Sequence, residues 1–420
     1  MRIYALLFIL LFCLFSGLSA QPVEQAGIRI DSVRIRKNWR TKERIILQEV
    51  DIKKGDILTT EQLERMISKI WNIGNFTKVS YQIDTLENNH ILLLVTAQDA
   101  VTIMPDLSVK GNRKEYSVTA GVNDNNFLGR NIDLGIAGSF GTNAQSANVR
   151  LGIPRQLLYK NMTLRSGFSY GSAQRIKYED KQALEGIAYM QKNFYFSAGN
   201  PWHTDYSYTF SPDLSIGYFS HKTDSTLLSM DIPSEENYTA QFLTLSLNES
   251  VGLINRIRHQ EDGYQISAGA GYGLSLSDGI PGYFSAGAGA RYARLFNRHL
   301  QFNASASVGY TSSELPSVIN YLGPDNVKGI ITGERWGRTI WSASTGIEVT
   351  YINRDWFAIE QSFYVNAGNA ESAIPDLFRK SPLMSAGTSL RFMVPFIPWL
   401  AITFHYAWRG GSDHWYSMDL

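Results

Sequence analysis

The 420-residue chain sets 39 Lys and Arg against 38 Asp and Glu, a formal net charge of +1. That excludes a nucleic-acid binder relying on bulk positive charge and a polyacidic tail protein. Charged residues make up only 18% against 12% aromatics and 35 glycines, and no apolar run long enough for a membrane helix follows the N-terminus, so a bundle of such helices is excluded and a membrane β-barrel fits.

Met1-Arg2, the apolar run from Leu6 to Phe15 and the small residues from Ser16 to Ala20 read as a secretory signal peptide over residues 1–20, too short for an uncleaved anchor. The only cysteine, Cys13, lies within it. The mature chain is therefore expected to be exported, with no disulfide, thiolate nucleophile or cysteine-built metal site.

Residues 27–98 differ from all that follows. Ile28, Ile30, Val33 and Ile35 have the rhythm of a strand, and Thr41 to Val50 reads as a helix through Ile45, Ile46 and Val50. Lys53-Lys54-Gly55-Asp56 is a turn. A second helix begins at Thr59, where Gln62 completes a capping box. It sets Leu63, Ile67, Ile70 and Trp71 on one face and stops at Gly74. Lys78 to Asp84 alternates, Asn88-Asn89 turns, and Ile91 to Ala97 ends the module. The order β-α-α-β-β makes a small α+β domain.

From Val101 onward helical periodicity is lost. Alternating segments of about ten residues recur between Gly, Asn, Asp and Pro, the pattern of antiparallel transmembrane strands. Phe194 to Gly199 and Gln265 to Tyr272 are typical. In Trp341 to Tyr351 one face carries Trp341, Ala343, Thr345, Ile347, Val349 and Tyr351, and the other Ser342, Ser344, Gly346, Glu348 and Thr350. Residues 100–420 accommodate about 16 such strands, an even number as bacterial barrels require. A soluble sandwich or propeller is the rival, and the low charge argues against it.

A signal peptide, one β-α-α-β-β module and such a barrel together resemble the BamA/TamA family of outer-membrane assembly proteins. Gly55-Asp56 before the second helix and Asn72 to Val79 after it resemble the pattern of the family's periplasmic POTRA module. The segment Gly323-Pro324-Asp325-Asn326-Val327-Lys328-Gly329-Ile330, closing at Gly337, resembles the family's loop that folds back into the barrel between strands eleven and twelve. There the family reads Val-Arg-Gly-aromatic; here Val327, Lys328, Gly329 and Ile330 stand in those places. Phe363 to Gly368 resembles the strand whose Asp meets that Arg, with Asn366 in the Asp position. The resemblance implies that Lys328 pairs inside the barrel with Glu348, with a neutral contact to Asn366. A last strand, with Tyr416, Met418 and Leu420 alternating, resembles the C-terminal strand of outer-membrane proteins, Leu420 replacing a terminal aromatic.

Enzyme chemistry finds no motif here. None of the seven histidines forms a metal-like pair at helical spacing, and no nucleophile elbow, phosphate-binding loop or zincin helix occurs. A Ser/His/Asp set around His405 or His414 with Asp413 is the nearest candidate; a histidine at a barrel rim more often serves as an interfacial polar group. The expected protein is non-enzymatic and cofactor-free, in the bacterial outer membrane with its POTRA module in the periplasm. Its expected partners are the lipid bilayer, client polypeptides and accessory periplasmic or lipoprotein partners, with no nucleic acid. Clients would be inserted or translocated through strand addition to the POTRA edge and a lateral barrel seam. The alternatives are a passive pore or receptor, and a secretion transporter for a single client.

Overall fold

The computed structural model describes residues 27–419 apart from 37, 51, 53–54, 87–89, 112–114, 155–161, 180–181, 201, 204–208, 234–236, 258–259, 355, 395–400 and 410–413. The expected leader, the Asn88-Asn89 turn, Asp413 and Leu420 lie outside the described residues.

The first strand comes in two pieces, Ile28–Arg29 (β1) and Ser32–Arg36 (β2). Between them Ile30 is buried, and its backbone is taken by Asp56 O and Gly55 N–H at 2.8 and 2.7 Å. β1 thereby pairs with Ile57–Leu58 (β3), leaving β2 free to pair elsewhere. Helix α1 covers Glu43–Val50, two residues shorter at its start than the pattern suggests; Thr41 stands before it with its hydroxyl donated to the distant Asp99 carboxylate. Helix α2, Thr60–Asn72, begins with the full capping box: the Thr59 hydroxyl accepts the Gln62 N–H, and Gln62 Oε1 accepts the Thr59 N–H at 2.8 Å. Phe76–Thr85 (β4) and Ile91–Asp99 (β5) complete the sheet in the order β2-β5-β4, with β2 parallel to β5. Ile46, Val50, Leu63, Met66, Ile70, Val79, Leu93 and Val95 form the core. Met66 takes the central place on α2, while Ile67 and Trp71 pack partly buried beside it.

The barrel follows as Ile103–Gly111 (β6), Tyr116–Phe127 (β7), Ile132–Gly141 (β8), Ala144–Ile153 (β9), Thr163–Glu179 (β10) and Gln182–Gly199 (β11). Two short pieces, Trp202–His203 (β12) and Thr209–Phe210 (β13), precede Asp213–Thr223 (β14), Thr239–Ile257 (β15), Gln260–Ser275 (β16), Tyr283–Asn297 (β17) and Leu300–Thr311 (β18). A loop carrying Asn320–Leu322 (β19) and Arg335–Gly337 (β20) leads to Thr339–Asn353 (β21) and Ala358–Glu371 (β22). A one-turn helix α3, Ile374–Arg379, then precedes Leu383–Met393 (β23), Ala401–Trp408 (β24) and His414–Asp419 (β25). Setting aside the two-residue β12 and β13, sixteen strands make the closed ring, with β25 returning to β6.

Cross-strand pairs show why the sheet closes. Between β18 and β21 the inward ladder is Ser307 with Ser342, Ser305 with Ser344, Asn303 with Gly346 and Gln301 with Glu348. The outward ladder is Ala306 with Ala343, Phe302 with Ile347 and Leu300 with Val349. Each wall is thus polar on the lumen side and apolar outside, as hydrocarbon demands, and closure leaves no lipid-exposed backbone edge. Ile347, Phe363 and Val365 accordingly stand exposed on the outer wall.

Thr59→Ala removes one half of the α2 capping box and should lower the stability of a fragment of residues 27–98 by about 1 kcal/mol, measured by urea unfolding. An unchanged midpoint would show that α2 does not depend on its cap.

Candidate functional site

The loop between the eleventh and twelfth strands, β18 and β21, folds into the barrel. It begins with a tight turn, in which Asn326 and Val327 both donate their N–H to Gly323 O at 2.9 Å, and Pro324 fixes φ at the first corner. Val327 and Ile330 are fully buried with Leu322 against Ala370 and Leu383 of the inner wall. Burying three such side chains favours the seated loop by about 1.5–3 kcal/mol each.

Lys328 lies between these anchors. Its Nζ is 3.0 Å from His405 Nδ1 and 4.8 Å from the centre of the Tyr364 ring. An ammonium only donates, so Nδ1 accepts and the ring N–H is assigned to Nε2. Tyr364 is held in turn: its hydroxyl donates to Tyr406 O at 3.0 Å, and its ring covers Gly387, where a Cβ would meet Cε2 at 2.6 Å. Glu348 and Asn366 line the same lumen cavity of about 300 Å³ as Lys328, together with Gln301 and Arg391. Asn366 is buried and its amide donates to Ser385 Oγ at 3.3 Å. Glu348 faces Gln301 and Ser362 across the sheet. The contacts of the ammonium therefore include an imidazole and an aromatic face, neither of which the motif suggests. Alternation alone carried a clue, because His405 falls between the outward Phe404 and Tyr406 and must point inward.

The far shoulder of the loop is fixed as well. Glu334 pairs with Arg409, Lys177 Nζ sits 4.3 Å over the Trp336 ring, and Gly333 O accepts the Tyr178 N–H at 3.2 Å. Glu115, in the turn between β6 and β7, accepts the Thr332 N–H at 3.2 Å and the Asn143 amide. The lumen is thus crossed by a loop tied to β10, β22, β23, β24 and the first hairpin.

The second feature is the closing seam. Among the described residues β25 meets β6 only through Tyr416 with Gly111, Ser417 with Lys110, Met418 with Val109 and Asp419 with Ser108. β6 pairs with β7 along its whole length, from Ile103 to Gly111. Tyr416 and Met418 face outward while Trp415 and Ser417 are buried on the inner side.

Residues 28–98 match the family model of POTRA, the surface antigen variable number repeat. No curated protein matches the chain. Among solved structures, BamA from Haemophilus ducreyi lacking POTRA domains 1-3 is 17% identical, with 94% of this chain and 84% of that one covered at a TM-score of 0.54. CdiB from Escherichia coli is 9% identical, covering 97% of this chain and 92% of that one at 0.61. CdiB from Acinetobacter baumannii is 14% identical, covering 94% and 74% at 0.58. At these identities the likeness is one of fold.

Two outcomes follow from the loop. Lys328→Ala removes a charge-assisted contact of about 1.5–3 kcal/mol and should raise cleavage of the loop by added protease about tenfold or more, whereas Lys328→Arg should remain protected; equal resistance of wild type and Lys328→Ala would put the lysine outside the anchoring. Burial pushes the Glu115 carboxyl up from its ordinary 4.5, against the opposing pull of the Thr332 N–H and the Asn143 amide. A group whose folded pKa is raised favours the seated loop in its protonated form, so seating is firmest below 4.5 and weakens as pH rises through the raised value. Loop cleavage, corrected with an unfolded peptide control, should quicken over that rise, and Glu115→Gln should flatten the dependence.

Proposed function

For a chain that joins a POTRA domain to the sixteen-stranded barrel fold of BamA and CdiB, we propose a non-enzymatic role in the bacterial outer membrane, inserting client polypeptides into the bilayer. In this reading residues 27–98 lie in the periplasm and residues 100–420 form the membrane barrel. The observation that carries it is the seam. A backbone hydrogen bond contributes about 1 kcal/mol net in water, but an unsatisfied N–H or C=O in hydrocarbon costs several. A client strand emerging into lipid therefore needs a partner edge. Among the described residues the four-residue register of β25 with β6 is the place in the ring where opening breaks the fewest bonds, since every other neighbouring pair of long strands shares a longer register. A strand added to the exposed edge of β6 or β25 satisfies its own backbone and replaces the bonds that were broken. The module offers similar templates earlier on the route, because β2 and β4 are the edges of its sheet. No step requires a nucleotide; the free energy of client folding drives insertion.

The loop supports the same reading from inside. Anchored across the lumen, it narrows the path through the barrel and leaves the lateral path as the open one. The test joins Lys110→Cys with Ser417→Cys, facing residues of the seam, in vesicles containing the purified protein and a small unfolded barrel client. Client insertion, read as heat-resistant folded species on a gel, should fall on oxidation and return on reduction. A client protected inside the vesicle and unaffected by the cross-link would overturn insertion in favour of secretion.

A further inference from the structure

The junction of module and barrel holds a polar network that the seam and the loop do not use. Asp99, the last residue of β5, is 6% exposed; its Oδ2 accepts the backbone N–H of Arg40 at 2.6 Å and of Thr41 at 3.1 Å, and its Oδ1 accepts the Thr41 hydroxyl. That hydroxyl also accepts the Asn126 amide at 2.8 Å, which brings in the end of β7. Asn126 Oδ1 takes the Asn131 N–H at 2.8 Å, and Asn131 Oδ1 takes the Asn75 amide at 2.7 Å, returning to the module. Beside this circuit Arg40 pairs with Asp124 at 2.6 Å, and Asp124 accepts the Thr102 hydroxyl at 2.9 Å. Thr41, Asn75, Asn126 and Thr102 are all buried.

The barrel turn is shaped to receive the module. Leu128 and Asn131 hold φ of 58° and 56°, values that non-glycine residues seldom adopt. A Cβ on Gly129 would come within 2.1 Å of Arg40 O, and the Gly129 carbonyl accepts the Lys42 N–H at 2.8 Å. The connection itself is short. Ala100 and Thr102 are buried, and the Ala100 N–H is bound to Asn75 O at 2.8 Å. A second contact lies five strands round the ring from β8, where the Asn72 amide reaches Asn255 Oδ1 of β15 at 3.4 Å. The module is seated at two separated points of one rim.

We propose that these contacts make module and barrel one rigid piece, with Asp99 as its positioning residue, and that the POTRA domain stays seated across the periplasmic mouth while the protein works. The proposal rests on the reading of the module as periplasmic and client-binding, but not on the identity of the client. A swinging joint would have to break the bonds that cross it, Asn126 to Thr41, Asn75 to Asn131, Arg40 to Asp124 and Lys42 to Gly129, while Asp99 holds Arg40 and Thr41 in the place from which they make them. Clients then meet the edges of β2 and β4 at a fixed station and travel to the seam beside the mouth.

Asn72→Cys with Asn255→Cys tests this in the full-length protein, in which Cys13 is the only native cysteine. The disulfide should form rapidly and nearly completely, and the oxidised protein should insert the barrel client as well as the reduced one. Poor cross-linking, or insertion lost on oxidation and regained on reduction, would overturn the rigid seat. Adding Asp99→Ala, or Asn126→Ala as a milder alternative, should slow cross-linking by about tenfold or more while the barrel keeps its heat-modifiable migration. An unchanged rate in both would remove Asp99 and its circuit from the role. This arm needs no client, so an inactive wild type would count against insertion alone.

Discussion

A backbone crossing hydrocarbon must place every N–H and C=O on a neighbour, and the structure follows from that constraint. A ring of sixteen strands meets it with no free edge. Once the ring exists, alternation divides the side chains: serines, glycines and asparagines line the lumen from β15 to β18, and leucine, isoleucine and phenylalanine cover the outside. Low charge and abundant glycine are thus consequences of closure. The same rule is met least fully where the register in the ring is shortest.

The lumen shows a different economy. Inward residues are small and polar on one side, and the loop fills the other with Leu322, Val327 and Ile330. Lys328 brings a charge into this space and receives the face of Tyr364 and the lone pair of His405. Lysine pairs as a point charge with rotatable donors, so an aromatic face and a single lone pair are partners it can use. The departure from Val-Arg-Gly is therefore matched by the wall it meets.

Much of the architecture was legible because periodicity is local. The capping box at Thr59 and Gln62, the core face of α2 and the two-sided pattern of Trp341 to Tyr351 all depend on residues a few positions apart. What was not legible depends on closure. Thr41 opens the segment that reads as the first helix, yet its hydroxyl serves Asp99, 58 residues away. His405 lies 77 residues beyond Lys328 and reaches it only because the ring curves back. The break at Ile30 was hidden for the same reason, because the choice of β3 as partner for β1 is a tertiary matter.

The pairs that close the ring are also the least local in the chain, since Ser108 to Gly111 meet residues more than 300 positions later. Contacts of such separation carry the largest loss of chain entropy on closing and form late. β6, by contrast, continues almost directly from β5, so a folded module fixes the direction of the first barrel strand before its last partner arrives. The order of events in making the barrel is then written in its contact order: the end that is anchored waits for the end that is free, and the joint that forms last is the one held by the fewest bonds.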